Sequence, residues 1–228
     1  MKVDVIIPLR EKDIFNSDKS EKFIHKGISL YSYTLQEIEN SKFIRNIYFA
    51  IDSVSIKDLI NTKNSNFNFI YRPKKLSKNN VTTIDVLRYI FKDLDYLKRI
   101  TEYFIYLEIS HPYRPTGFIN QILGIAKKGN FDSIITTRKV NYNIWTKNNR
   151  NNFDRIKPSD TKNNSFNYEE LIGIGSVFKS RNFLNENVFG NFVNVISINN
   201  LWSCIDVRDK KSFEFFLNNY SYLKKQIG

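Results

Sequence analysis

The sequence predicts an α/β fold with a mostly parallel central sheet. Short apolar runs of strand length recur from Val3 to Thr137, and segments of helical periodicity lie between them. Hydrophobic residues make up 41% of the 228 and aromatics 15%, enough to cover both faces of such a sheet. Strand–helix alternation implies right-handed βαβ crossovers and parallel pairing. The length fits a single core, so residues 1–228 are expected to form one domain.

Val3 to Leu9 is an apolar run with Pro8 near its exit, the pattern of a buried parallel strand. Arg10 to Lys26 is polar and aperiodic, so a loop is expected. From Ser29 to Ile38, Leu30, Tyr33, Thr34 and Ile38 share a helical face. Asn46 to Ile51 predicts the second strand, Ser55 to Ile60 a short helix, and Asn66 to Tyr71 the third strand, halted at Arg72-Pro73. Thr82 to Leu97 predicts an amphipathic helix with Thr82 or Thr83 near its cap. Tyr103 to Ile109 is a strongly apolar fourth strand. Thr116 to Lys127 follows as a helix with Phe118, Ile119, Ile122, Leu123 and Ala126 inward, and Asp132 to Thr137 as a fifth strand.

Regularity then lapses. Asn141 to Asn167 is rich in Asn, Lys and Asp with scattered aromatics, an excursion of a length that is usually functional or ordered by a partner. Apolar runs return at Leu171–Phe178, Val193–Ile198 and Ser203–Val207, and a helix is expected from Asp209 to Lys224. Gly173-Ile174-Gly175 reads as a tight backbone approach or a turn before a strand.

Composition narrows the function classes. No apolar run reaches the roughly 18–20 residues that cross a bilayer, and Met1 to Pro8 is too short and acidic for a signal peptide. With Cys204 the one cysteine, no internal disulfide can form, which fits a cytoplasmic location. Two histidines and that cysteine give no zinc cluster. His111, ahead of Pro112, reads as a loop residue, and Cys204 as a core residue of an apolar strand. The net charge of +12 fits an anionic partner, and equally a lysine-rich solvated surface. Neither a nucleic-acid-binding motif nor a Gly-rich phosphate loop is present.

In open α/β sheets, ligands bind beyond the carboxyl ends of the strands. That rule selects Arg10, Asp52, Arg72, Glu108, Arg114 and Asp206. Arginines there can fork onto phosphate oxygens, and carboxylates there can hold Mg²⁺ together with substrate phosphates.

Seven short motifs then fall in a familiar order. They are Ile6-Ile7-Pro8-Leu9-Arg10, Gly27-Ile28-Ser29-Leu30, Ala50-Ile51-Asp52-Ser53 and Arg72-Pro73-Lys74-Lys75-Leu76, then His111-Pro112-Tyr113-Arg114, Ile174-Gly175-Ser176-Val177-Phe178 and Ile205-Asp206-Val207-Arg208-Asp209. In this order the chain resembles the acylneuraminate cytidylyltransferase family, the CMP-sialic acid synthetases and their relatives. The resemblance implies a single Rossmann-like nucleotide-diphospho-sugar transferase fold. It implies transfer of CMP from CTP to an acidic keto-sugar for a surface glycan, with release of pyrophosphate and with Mg²⁺ as cofactor. Arg10 and Lys22 would neutralise the triphosphate, with Asp206 completing the catalytic set. Arg72, Asn80 and Asp52 would join Arg10 around the nucleotide, Glu108, Arg114 and Gly175 would face the sugar, and Asp206 and Asp209 would hold the metal. Residues 141–170 would serve a homodimer or the substrate side through Tyr142, Ile144, Trp145 and Phe153. No nucleic acid and no membrane insertion enter this picture.

Two departures motivate an alternative, a homologue that binds a nucleotide or a partner protein without turnover. The first loop, from Glu11 to Asn16, has no glycine and two carboxylates, and the second aspartate of the closing motif is Arg208.

Overall fold

The computed structural model describes residues 2–11, 24–25, 28–60, 66–78, 80–140, 144–155 and 166–227. Its centre is a twisted sheet of β1 (Val3–Leu9), β4 (Ile44–Ile51), β5 (Phe67–Tyr71), β6 (Tyr103–Tyr106), β7 (Ser133–Val140), β10 (Asn167–Glu170), β11 (Ser176–Lys179) and β12 (Val193–Ser197). The strand order is β10-β7-β11-β6-β1-β4-β5, with β12 parallel on β7. Pairs β1–β4, β1–β6 and β4–β5 are parallel, whereas β11 runs antiparallel to β6 and β7, and β10 antiparallel to β7. The mostly parallel α/β sheet is therefore as the sequence predicts.

The helices are α1 (Leu30–Glu39), α2 (Val54–Leu59), α3 (Thr83–Lys92), α4 (Leu94–Arg99), α5 (Phe118–Lys128) and α6 (Lys210–Ile227). Val3, Val5, Ile7 and Leu9 of β1 pack into one core with apolar residues of α1, α2, α5 and α6. Ile6 enters a second core, on the other face, with Val86, Leu87, Ile90 and Phe91 of α3. This alternation is the period-two pleat of a strand buried on both sides. The inward faces expected for α1 and α5 are all buried.

At the amino end of β1, buried Asp4 accepts hydrogen bonds from Arg45 Nε and Nη2 (3.0 and 2.6 Å) and from the backbone N–H of Asn46 and Thr101 (3.1 and 2.8 Å). One carboxylate thereby ties together β1, β4 and the approach to β6, at the amino ends of the parallel strands.

Four expectations are corrected. The helix expected over 82–97 breaks at Asp93, whose extended backbone (ψ 110°) separates α3 from α4. The fourth strand ends at Tyr106 because Glu108 N–H turns to Gly173 O (2.8 Å) and the chain bends over Ile109 and Ser110. Ser203–Val207 is not a strand. Asn200 Oδ1 accepts from Trp202 N–H (2.9 Å) and starts a short 3₁₀ turn, Leu201–Cys204, after which Val207 N–H reaches across to Ser110 O (2.7 Å). Cys204 thus lies in a turn, half-buried. Within the excursion, β8 (Trp145–Lys147) and β9 (Phe153–Arg155) form an antiparallel ribbon, and a two-stranded ribbon, β2 (Ile24–His25) with β3 (Ile28–Ser29), precedes α1.

Gly173 and Gly175 carry the turn between β10 and β11. A Cβ on Gly173 would lie 2.8 Å from Glu108 Cδ. Gly175 has φ +154°, and a Cβ there would press on Leu107 and Phe118. The tight approach expected from the sequence is present, and it presses on the site described next.

Candidate active site

In the strand order β5-β4-β1-β6 the chain moves outward in one direction from β1 to β4 and in the other to β6. A crevice opens where strand order reverses, outside the carboxyl ends. A cavity of about 340 Å³ occupies that place. It is lined by Pro8 near the end of β1 and Arg10 just after it, Arg72, Leu76 and Lys78 after β5, Val81 to Thr83 and Val86 at the start of α3, Tyr106 to Ser110 without Leu107, and Val207 and Arg208.

Glu108 is the carboxylate of this cavity. Its Oε1 accepts from Tyr106 OH (2.7 Å) and Thr83 Oγ1 (3.3 Å), and its Oε2 from Arg208 Nη2 (2.5 Å), with Ser110 Oγ at 3.4 Å. Tyr106 stays a phenol, because burial first and Glu108 second push its pKa well up. Arg208 bridges to a second carboxylate, its Nε donating to Asp206 Oδ2 (2.5 Å). Burial works against the Arg208 charge, but Glu108 and Asp206 outweigh it and raise the guanidinium above its ordinary range.

Among the described residues, Arg10, Arg72, Lys78 and Arg208 line this cavity with Glu108, and Arg208 is paired with it. The start of α3 adds its N–H dipole, organised by a capping box in which Asp85 N–H donates to Thr82 Oγ1 (3.1 Å) and Thr82 N–H to Asp85 Oδ2 (3.0 Å). Chemically this is an anion site with one acidic group held at its wall.

Of the residues expected from the sequence, Arg10, Arg72 and Glu108 line the cavity. Asp52 does not; its Oδ1 accepts from Glu11 N–H (3.0 Å), fixing the chain just beyond Arg10. The Glu11 carboxylate accepts from Ser55 Oγ (2.9 Å). Asn80 is exposed ahead of α3 and is not among the lining residues. Asp206 stands at the rim, reached through Arg208. Lys22 lies outside the described residues.

Three of the expected residues are engaged elsewhere in the structure. Arg114 is buried, and its guanidinium donates to the backbone oxygens of Ile174, His111, Gly173 and Glu108 and to Thr34 Oγ1, so it braces the loop instead of facing a ligand. Burial lowers its pKa to about 10, against the opposing pull of Glu37 and Glu108. Gly175 is buried behind Leu107 and Phe118. Asp209 caps α6, its Oδ1 accepting from Ser212 N–H and Oγ (both 2.8 Å).

The implied Mg²⁺ does not fit this donor set. Mg²⁺ asks for one or two free carboxylates in near-octahedral geometry. Here Asp209 serves a helix, while Glu108 and Asp206 share a guanidinium. Among the described residues no three His, Cys, Asp or Glu side chains gather into a metal-binding group.

Sequence reasoning missed Lys78, Tyr106, Thr83 and Ser110 and treated Arg208 as a departure only. The signal for Tyr106 was its i, i+2 spacing to Glu108, which directs both side chains to one side. For α3 it was Thr82-x-x-Asp85, the start signature of a helix pointing at the cavity.

No family model matches the chain, and no curated protein matches its sequence. Solved structures do match it. One is 4-diphosphocytidyl-2C-methyl-D-erythritol synthase from Anaerococcus prevotii DSM 20548, with a TM-score of 0.67 and 14% identity, covering 96% of each chain. The chain shares their fold. A second is CMP:2-keto-3-deoxy-manno-octonic acid synthetase complexed with CTP, with a TM-score of 0.66 and 8% identity over 97% of this chain and 99% of that one. A third is another 4-diphosphocytidyl-2C-methyl-D-erythritol synthase, with a TM-score of 0.66 and 9% identity over 95% and 97%. At such identities the likeness concerns the fold.

Proposed function

We propose that the chain is a nucleotidyltransferase that moves the cytidylyl group of CTP onto a hydroxyl or phosphate oxygen of a sugar- or polyol-class acceptor. The cavity with Arg10, Arg72, Lys78 and Arg208 at the strand-order reversal carries this reading. Solved structures of the same fold include one complexed with CTP and two named for a diphosphocytidyl product. In the step, the acceptor oxygen forms a bond to the α-phosphorus and gives up any proton it carries to solvent, the bond from that phosphorus to the bridging oxygen breaks, and pyrophosphate leaves. Such a transfer depends on charge neutralisation and in-line positioning more than on covalent work by protein groups. Arg10 and Lys78 would hold the leaving phosphates, and Glu108 would orient the acceptor.

The finer reading is an acidic keto-sugar acceptor of the sialic acid type, supplied to a surface glycan by a cytoplasmic homodimer. It rests on the motif order and on the exposed Trp145 and Phe153 of the β8–β9 ribbon, within the excursion. A second reading, binding without turnover, draws on the Arg208 bridge across Glu108 and Asp206.

Pyrophosphate release from CTP decides between them, measured with sialic, legionaminic, pseudaminic and Kdo-type acids and a polyol phosphate. Release with one acceptor, weakened by Arg10→Ala, is the expected result. CTP binding by calorimetry without release from any acceptor would leave only the second reading, and absence of CTP binding would remove both.

A further inference from the structure

We infer that the Arg208 guanidinium holds the place between Glu108 and Asp206 that a divalent cation would take, so that the cleft carries a permanent built-in cation. Two carboxylates from distant parts of the chain converge on this one side chain, each at 2.5 Å. Each contact uses a different edge of the guanidinium, Nη2 toward Glu108 and Nε toward Asp206, the fork geometry that suits arginine and no other cation in the chain. A dication placed between the same oxygens would sit against a fixed positive charge, and it would have to break both ion pairs to gain its ligands. The guanidinium cannot escape by losing its proton.

The surroundings agree. Thr83 and Tyr106 hold Glu108 from the other side, so its carboxylate is anchored toward Arg208. Asp209, the next acidic residue along the chain, is committed to Ser212. Arg10, Arg72 and Lys78 supply the remaining positive charge of the cavity. An anionic ligand bound here would meet these protein cations, whichever nucleotide it is.

The test uses the full chain and Mn²⁺ alone as a paramagnetic probe, with no nucleotide present, so that a failure to turn over CTP would leave its outcome intact. Free Mn²⁺ is followed by electron paramagnetic resonance, and thermal stability is followed with and without the ion. The wild type should neither take up Mn²⁺ nor gain stability from it. Arg208→Ala, which frees the carboxylate pair, should bind Mn²⁺ at least about tenfold more tightly, as expected when a like charge is removed beside oxygen ligands. Adding Asp206→Asn to that variant should abolish the gain. Uptake by the wild type that Asp206→Asn removes would overturn the inference, as would a folded Arg208→Ala protein with no gain. If Arg208→Ala fails to fold by circular dichroism, the wild type and Asp206→Asn decide the matter by themselves.

Discussion

Arg114 is 4% exposed, and every N–H of its guanidinium meets a backbone oxygen or Thr34. Arg114→Ala would leave those oxygens unsatisfied, at a cost of at least about 3 kcal/mol and a drop in melting temperature of roughly 6–12 °C. Arg114→Lys should recover only part of this, since an ammonium lacks the planar fork. A thermal melt unchanged by either variant would show that the bracing role is wrong. Beside it, His111 is buried, and its Nδ1 has no hydrogen-bond partner among the described residues. Burial, helped by the Arg114 charge, lowers its pKa from 6.5 to about 4. The unfolded chain then binds the extra proton between those values, so His111 lowers stability as pH falls from about 6.5 to 4 and adds no further loss below. The expected slope is up to about 1.4 kcal/mol per pH unit. Melts from pH 7 to pH 4 should fall less steeply for His111→Gln than for the wild type, and identical slopes would refute the assignment.

At the scale of elements, α3 matters most to the site because its first turn forms one wall of the cavity. Its start depends on the reciprocal bonds of Thr82 and Asp85, and the Thr82 hydroxyl holds the Asp85 carboxyl below its usual range. Thr82→Ala should cost about 1 kcal/mol. CTP affinity should weaken in the same variant, because the first-turn N–H groups lose their order. A melt and a calorimetric titration measure the two effects, and an unchanged melting temperature would show that the box contributes nothing. The turn after β12 shows the opposite case. Ser203–Val207 is apolar enough to read as a strand, yet the Asn200 side chain caps a 3₁₀ turn there and places Asp206 at the rim.

At the scale of the whole molecule, the two cores lie on opposite faces of one sheet and share its strands, so we propose that they unfold together. Val5 and Ile7 belong to one core and Ile6 between them to the other, so neither can lose β1 alone. Urea melts followed by far-UV circular dichroism and by aromatic fluorescence should superimpose as one transition. Two separated midpoints would show that the faces are independent units.

The sequence by itself determined β1, β4 and β5, the buried faces of α1 and α5, the mostly parallel sheet and the end of it that carries the cavity. Those features follow from hydrophobic period and from the strand-end rule, which are local or general. It also placed Arg10, Arg72 and Glu108 at the cavity. Only the tertiary structure decided which charges meet. Arg208 reaches Glu108 across 100 residues of chain, and Arg114 reaches Ile174 across 60. Spacing along the chain carries no information about such contacts, and a strand-end arginine looks the same whether its guanidinium faces a ligand or a carbonyl. The closing motif shows the difference most directly. As sequence, Arg208 is a lost carboxylate. In the fold it is a cation between two others' acids, placed there by the turn at Leu201–Cys204 and the bend after Tyr106.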